Sequence, residues 1–568
     1  MASTLLTTTT TTTTVNGSGG GGDAEPVPQP IDIAPTTKNK LHGRAFYESI
    51  GSPKYVVAPM VDQSEYAWRM LTRSFLPPSQ RRTILAYTPM FHARLFAETP
   101  KYRDQHFQPL LGLDGNPASD RPLFVQFCAN DPDHLLAAAK LVAPYCDAVD
   151  LNLGCPQGIA KKGRYGAFLQ EDQELVYRLI NRLHTELDIP VTAKIRILGT
   201  REETLAYARN VLSAGASILT VHGRRREQKG HLTGLADWEV IKWLRGMLPR
   251  ETVMFSNGNV LEYGDLERCR EATGVDAVMS AEGNLSNPGI FAEGPAEGEE
   301  DQRVYWKGRD GKGGWRVDET FRRYFDIVYK SVGRTPPERR RLFVPGDDES
   351  WLQEEEEAQP ARPNGGEPQP KKKKKDDSQR RPEFDELARS SPNVSYMQPH
   401  LFHLLRHFVS VHTDVRDALA RARAGDLEAY ERILGMVERR VARGLIEHER
   451  TGGESIASYL EVEDAPEGIP EGESSVPARR RCKRPWWVVQ PIIRPLPAEA
   501  MLKGAVREKG KKQKEKKGGQ EGKSVVGEVV SQANREVKGE ESVPVVVETA
   551  EGTNGERKRK FSGDGVAT

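Results

Sequence analysis

Short runs of apolar residues alternate with longer amphipathic segments along the first half of the chain. Runs that are apolar at nearly every position are typical of parallel β-strands buried on both faces. The segments between them, such as PDHLLAAAKLVAPY, have the spacing of surface helices. The runs cover residues 55–60, 83–90, 122–129, 147–156, 190–197, 217–224, 252–260 and 276–283. We therefore predict an α/β fold in which eight strands with helical crossovers form a (β/α)8 TIM barrel. A doubly wound sheet is the alternative, but no G-x-G-x-x-G follows the first strand.

The chemically unusual side chains come at the carboxyl end of each run. In a barrel of this kind the carboxyl ends of all strands form one face, and that face holds the active site. Taken singly, an Asn or Gln there is usually a turn former and a Lys a solvated charge. Because all the runs end in this way, we predict one ring of functional groups. The ring contains Met60, Met90, Gln126, Asn152, Cys155, Lys194, Arg196, His222, Arg224, Asn257, Gly258, Glu282 and Gly283.

The last two runs end in SNGNV and SAEGNL, where glycine and small residues expose backbone N–H groups. Barrels often bind phosphate after strands seven and eight. With Lys194 deeper in the ring, this pattern favours a phosphorylated planar cofactor, flavin mononucleotide (FMN). Lys194 would stabilise the anion of the reduced ring, and Gln126 and Asn152 would hydrogen-bond its polar edge. The predicted cofactor-binding residues are Pro59, Met60, Val61, Gln126, Asn152, Lys194, His222, Asn257, Gly258, Asn259, Ala281, Glu282 and Gly283.

The composition of the remaining segments predicts which of them are ordered. Residues 1–45 contain a threonine run and a glycine run, so we predict disorder before a barrel at 50–292. A Pro- and charge-rich linker at 293–385 is predicted to be mostly disordered, with a short helix near 317–332. Amphipathic segments predict a small all-α domain at 394–465. A basic tail at 478–568 is predicted to be mostly disordered.

The cysteines and the hydropathy exclude several classes of protein. The five cysteines form no C-x-x-C pair, which argues against structural zinc or a disulfide framework and for a reducing compartment. His403, His407 and His412 lack partners at metal-ligand spacing, so no metal is expected. The chain has no apolar signal segment and no membrane span. We expect a monomer in the cytoplasm, the nucleus or both.

Seven motifs together resemble one family. APM, NLGCP, YGAFL, KIR, VHGR, SNGN and AEGNL, in this order, closely resemble the tRNA-dihydrouridine synthases. The longer stretch CPQGIAKKGRYGAFL is similar to the eukaryotic branch that acts on positions 16 and 17 of the tRNA D-loop. The resemblance covers roughly residues 50–290 and, more loosely, 394–450. It departs at Arg225, where the family pattern leads us to expect Thr.

The resemblance implies an FMN-dependent reduction of tRNA uridines to 5,6-dihydrouridine, with NADPH or NADH as reductant. Cys155 would then be the general acid that protonates carbon 5 of the base. Nearby cations favour a thiolate, which works against this role. The resemblance also makes the helical domain a tRNA-binding domain. The predicted tRNA contacts are Lys161, Lys162, Arg164, Arg196 and Arg224.

Two other functions are compatible with the barrel. An FMN-dependent reductase of a free pyrimidine or an enone would share the cofactor ring, but it has no need of a basic helical domain and tail. A non-catalytic RNA-binding protein would not need Cys155, Lys194 and His222 together.

Overall fold

The eight predicted strands form one closed parallel barrel, which confirms the predicted fold. The structure is a computed structural model that describes residues 28–308, 310–353, 391–470, 472–502 and 504. Each strand pairs with the next, and β1 also pairs with β8 and closes the barrel. The strands are β1 (Tyr55–Val57), β2 (Ile84–His92), β3 (Leu123–Cys128), β4 (Ala148–Asn152), β5 (Val191–Arg196), β6 (Ile218–His222), β7 (Val253–Asn257) and β8 (Ala277–Ser280).

Helices surround the barrel and extend beyond it. Those between strands bury an apolar stripe, as α7 does with Val176, Leu179 and Leu183. The helices are α1 (Gly43–Ser49), α2 (Tyr66–Ser74), α3 (Ala93–Glu98), α4 (Pro100–His106), α5 (Pro132–Val142), α6 (Gly158–Lys162), α7 (Gln173–Glu186), α8 (Arg201–Ser213), α9 (Trp238–Met247), α10 (Tyr263–Thr273), α11 (Glu282–Ser286), α12 (Val317–Ser331), α13 (Pro392–Ser395), α14 (Met397–Leu404), α15 (Arg406–Val411), α16 (Thr413–Arg421), α17 (Leu427–Arg450), α18 (Ala457–Leu460), α19 (Val476–Cys482) and α20 (Pro497–Leu502). Within the described part of the chain, none of them is long and apolar enough to cross a membrane.

The register of the strands brings the predicted polar groups to one end of the barrel. Gln126 pairs with Asp150, and Asn152 pairs with Lys194. His222 lies between Arg196 on β5 and Asn257 on β7. Neighbouring strands in a sheet are about 5 Å apart. These side chains therefore share one compact site although they are up to 131 positions apart in the chain (126 to 257).

The predicted linker is ordered where the structure describes it, which corrects the expectation of disorder over 293–353. An antiparallel hairpin forms from β9 (Tyr305–Lys307) and β10 (Gly313–Trp315). It leads into α12, at the position of the predicted helix near 317–332. Helix α12 packs against α2 and α17, and its Phe321, Tyr324 and Phe325 are fully buried. The rest of the predicted linker, 354–385, lies outside the described residues.

Both predicted disordered ends also include ordered segments. In the predicted disordered 1–45, Ala34 donates a backbone hydrogen bond to Ser213 on α8 (2.8 Å). In the predicted tail, Trp487 is fully buried and its carbonyl accepts from Val317 N–H (2.9 Å). These bonds join segments far apart in the chain, so local composition does not reveal them. Residues 1–27 and 505–568 lie outside the described residues.

The helical part and the barrel share one core through a buried histidine. His400 on α14 lies 2.9 Å from a carboxylate oxygen of Glu65, and both side chains are almost fully buried. Its ring stacks on Trp68 of α2 at 4.0 Å between centroids, with 4° between the planes. Trp68 Nε1 in turn donates to Asn284 on α11 (2.8 Å). The helical part is therefore not attached to the barrel by a linker alone.

We predict that His400→Ala lowers the free energy of unfolding by about 3–5 kcal/mol, because it leaves the buried Glu65 carboxylate without its partner. Chemical denaturation followed by fluorescence measures this change. The matched control is His134→Ala, since His134 pairs with Glu98 at the surface (2.9 Å), where such pairs contribute only about 0–1 kcal/mol. Equal effects of the two substitutions would contradict the prediction.

Candidate active site at the barrel mouth

Cys155 lies in the loop directly after β4, three residues beyond the end of the strand. It is partly exposed. It packs on one side against a small apolar cluster of Cys128, Ala160 and Tyr165, together with Met90 and Phe168. The thiol therefore lies at the mouth of the barrel, where the sequence predicts it.

The backbone on both sides of Cys155 is held by four hydrogen bonds. The N–H groups of Gly154 and Cys155 both donate to Asn152 Oδ1, at 3.1 and 2.9 Å. Arg196 Nε donates to the carbonyl of Gly154 (2.6 Å), and Ala167 N–H donates to that of Cys155 (3.0 Å). With all four polar groups satisfied, the loop positions the thiol firmly.

The glycine of the YGAFL motif is needed for close approach to this loop. Gly166 has a φ of +64°, which is in the left-handed region that favours glycine. A Cβ at this position would also lie 2.8 Å from the carbonyl oxygen of Cys155. Any larger residue would therefore push against the segment that holds the thiol.

Two predicted amides are joined to an acid that the sequence analysis missed. Asn152 Nδ2 donates to Gln126 Oε1 (2.7 Å), and Gln126 Nε2 donates to Asp150 Oδ2 (2.8 Å). Thr192 Oγ1 donates to the other carboxylate oxygen of Asp150 (2.6 Å). Asp150 is fully buried in β4. The available signal was an acid within an apolar strand, in the run AVDLN.

Lys194 is a buried cation that lacks a partner. Its side chain is on β5, and the residue is only 9 % exposed. Across the described part of the chain, no hydrogen bond or ion pair within 4 Å involves its ammonium group. Burial, reinforced by the nearby Arg196, lowers the pKa of Lys194 to about 7. A bound group with negative charge would supply the missing partner.

The ends of β7 and β8 form a cradle of free N–H groups. In the described residues, the N–H groups of Gly258, Asn259, Glu282 and Gly283 make no hydrogen bond. A Cβ at Gly258 would lie 2.6 Å from Ala236, and one at Gly283 would collide with the carbonyl of Val260. Free donors and tight glycine packing fit a bound phosphate.

The other predicted cofactor residues line the same mouth. Pro59, Met60 and Val61 follow β1, and of these Met60 is buried and Val61 exposed. Asn257 is committed to the barrel, since its Nδ2 donates to Met279 O (3.0 Å). Ala281 caps α11. Glu282 is exposed and pairs with Arg494 (2.5 Å), a residue of the predicted basic tail that the sequence analysis missed.

His222 is neutral in this environment. Burial and the cations Lys194, Arg196 and Arg224 lower the pKa of His222 well below its usual value. Its Nε2 lies 3.3 Å from Arg224 Nη1. Because an arginine can only donate, His222 Nε2 accepts and Nδ1 carries the proton. The ring therefore offers one N–H donor to a ligand.

The five predicted tRNA contacts fall into two groups. Lys161, Lys162 and Arg164 are exposed on α6 and just after it, beside Cys155. Arg196 and Arg224 instead lie within the mouth and bind backbone carbonyls, those of Gly154 and Gly234.

Nowhere in the described ranges do three or more His, Cys, Asp or Glu side chains form a group that could hold a metal ion.

Comparison with known proteins shows the family to which the chain belongs. A family model described as dihydrouridine synthase (Dus) matches residues 56–308. The chain is 44 % identical over 459 residues to the tRNA-dihydrouridine(16/17) synthase [NAD(P)(+)] of Saccharomyces cerevisiae, covering 80 % of this chain and 87 % of the relative. The chain belongs to the dihydrouridine synthase family.

Other members indicate the branch within the dihydrouridine synthase family. The tRNA-dihydrouridine(16/17) synthase of Schizosaccharomyces pombe is 42 % identical over 82 % of this chain and 94 % of the relative. A mouse tRNA-dihydrouridine(20a/20b) synthase-like protein is 36 % identical over 42 % of this chain and 68 % of the relative. The matches to the two yeast 16/17 synthases are longer and have higher identity, and they extend beyond the barrel. This chain belongs to that branch.

We predict that Lys194→Met has opposite effects on stability and on affinity for FMN, the cofactor that the sequence predicts. The flavin-free protein should become more stable, since the substitution removes a buried cation with no partner. This gain should be complete below pH 7 and shrink as the pH rises towards 10.5, because the folded protein loses the Lys194 proton near pH 7 and the unfolded chain near 10.5.

Flavin affinity of Lys194→Met should fall by at least about tenfold, the equivalent of one lost charged hydrogen bond. Equilibrium titration with FMN and thermal unfolding between pH 6 and 9 measure the two effects. A less stable flavin-free protein would show that Lys194 is a structural residue, and unchanged FMN affinity would show that Lys194 does not bind the cofactor.

Proposed function

We propose that this protein reduces uridines 16 and 17 of the tRNA D-loop to 5,6-dihydrouridine, with FMN as cofactor and NADPH or NADH as reductant. The observation that carries the proposal is the arrangement of the mouth. A firmly positioned thiol lies on the same face as an unpartnered buried lysine and a cradle of free N–H groups. The names of the yeast relatives give the substrate and the reductant.

The residues of the mouth fit FMN. The N–H groups of Gly258 and Gly283 would hold its phosphate, and Lys194 would supply positive charge beside the ring. When bound and reduced, the flavin supplies the hydride that adds to carbon 6 of the uracil. Asn152 and His222 each have an N–H available to orient a bound ring, and the buried Gln126 fixes the orientation of Asn152.

Cys155 is the proposed general acid. Addition of hydride to carbon 6 places negative charge on carbon 5 and its neighbouring carbonyl, so carbon 5 must receive a proton. The Cys155 thiol donates that proton and becomes a thiolate, which is then reprotonated from solvent. Its partial exposure allows both contact with a base and this return of the proton.

Contacts to the phosphate backbone of the tRNA would bring the target uridine to the mouth of the barrel. A base inside folded tRNA is inaccessible, so the target uridine has to be turned out of its stack into the site. Lys161, Lys162 and Arg164 lie exposed beside Cys155 and would bind phosphates flanking that uridine. Arg196 and Arg224 are better suited to holding the loops of the mouth. The helical part contributes further contacts, and we propose a monomer acting in the cytoplasm, the nucleus or both.

We predict that Cys155→Ala lowers the rate of dihydrouridine formation by about 10²–10⁴-fold, the usual contribution of general acid catalysis. FMN content, tRNA affinity and oxidation of NADPH should be retained, because none of them needs the thiol. Mass spectrometry of tRNA from single-turnover reactions measures the product. An unchanged rate would mean that another group supplies the proton. A wild-type protein that reduces free uracil and not tRNA would support the alternative reductase.

We predict that Lys161→Gln with Lys162→Gln weakens tRNA binding and makes it less sensitive to salt. The slope of log affinity against log salt should fall by roughly 0.7–0.9 for each lost phosphate contact. The matched control is Lys140→Gln with Lys242→Gln, which removes the same charge from exposed positions on α5 and α9. Equal slopes for the two double variants would exclude α6 from the tRNA interface.

A further inference from the structure

We propose that Asp150 is a positioning residue for the Cys155 loop. Its carboxylate sets the direction of the hydrogen bonds that pass through Gln126 and Asn152 to the backbone of Cys155. This inference rests on the proposed function, because it concerns the placement of the proposed proton donor.

The direction follows from the two ends of the chain of hydrogen bonds. A carboxylate can only accept, so Gln126 must turn its Nε2 towards Asp150 and its Oε1 towards Asn152. Asn152 must then donate with Nδ2, which leaves Oδ1 to face the loop. At the far end, the backbone N–H groups can only donate, and Oδ1 accepts from both. Each amide therefore has one orientation that satisfies all its contacts.

Burial separates this chain of hydrogen bonds from water, and the contacts of Asp150 favour its ionised form. Asp150 and Gln126 are both fully buried, so water cannot replace a mismatched contact. Burial raises the pKa of Asp150 to about 6, while the bonds from Thr192 and Gln126 and the charge of Lys194 oppose the rise. At neutral pH the group is therefore an acceptor at both oxygens.

The same direction limits what the two amides offer to a ligand. After these bonds, Gln126 Nε2 and Asn152 Nδ2 each keep one N–H. Gln126 is fully buried, so only the partly exposed Asn152 can meet a group in the mouth, and that group has to be an acceptor. Asp150 thus influences both the loop and the cofactor edge without touching either.

Moving the carboxylate along the chain of bonds tests the inference. Asn152→Asp alone removes the donor to Gln126, so one contact between two acceptors is unavoidable while both acids are ionised. Adding Asp150→Asn reverses the chain: the new amide at position 150 donates to Gln126, Gln126 donates to the acid at position 152, and this acid still accepts from the loop. Every contact is then matched again.

A second pair of substitutions moves the carboxylate to position 126, in the middle of the chain of hydrogen bonds. Gln126→Glu alone places two carboxylates face to face. With Asp150→Asn, the acid at position 126 accepts from both neighbours, and Asn152 keeps its orientation. This pair keeps the test decisive if the variants at position 152 do not fold.

Two measurements on the full-length protein with FMN bound test the inference. One is the rate at which iodoacetamide modifies Cys155, followed on its peptide by mass spectrometry. The other is single-turnover formation of dihydrouridine by enzyme already reduced with NADPH. We expect each single variant at position 152 or 126 to lose product formation by at least about tenfold, and Asp150→Asn to restore at least about tenfold of it. The rate of Cys155 modification should return towards that of the wild type in the same double variants.

A purely structural contribution of Asp150 would make each double variant worse than its single variants. That outcome, or the absence of rescue in both pairs, would overturn the inference. If the wild type makes no dihydrouridine, the proposed function fails. The modification rates of Cys155 would still decide whether Asp150 directs the loop.

Discussion

Closure of the barrel is the constraint on which the rest of the site depends. The pairing of β1 with β8 leaves no free edge and turns the carboxyl ends of all strands towards one mouth. Parallel strands with a common direction can do this only because each returns through a helix. The residues after β1 and those after β8 are therefore neighbours at the mouth although they are over 200 positions apart. Cys155, Lys194 and Gly258 lie at one mouth for this reason.

Polar groups without partners at the mouth lower the stability of the folded protein, and a bound ligand would supply the missing partners. Lys194 is buried without a partner, and its lowered pKa shows that the folded protein disfavours its charge. The cradle after β7 and β8 leaves donors unbonded. Around these groups the structure is well satisfied, as the four bonds that hold the Cys155 loop show. The unbonded donors of the mouth thus lie where a charged ligand would meet them.

The helical part is joined through buried contacts to the end of the barrel that holds the candidate site. His400 stacks on Trp68, and Trp68 holds Asn284 in α11, the short helix that begins at the proposed phosphate cradle. Asn284 also donates to Thr72 (3.1 Å), which ties α11 to α2. The proposed tRNA-binding part and the cofactor end of the barrel are therefore joined by one buried network.

The strands, their order and most of the mouth are readable from local pattern, because a strand buried on both faces has to be apolar and chemistry is confined to its end. Cys155 and Lys194 are found in this way. The partners of Asp150, the ordered structure of 293–353, the buried Trp487 and the partner of Glu65 cannot be read in this way. Glu65 and His400 are 335 positions apart, and no periodicity connects them. Whether a polar residue is a turn, a ligand or a buried partner depends on which distant atoms surround it, and those neighbours exist only once the barrel has closed and the helices have packed on it.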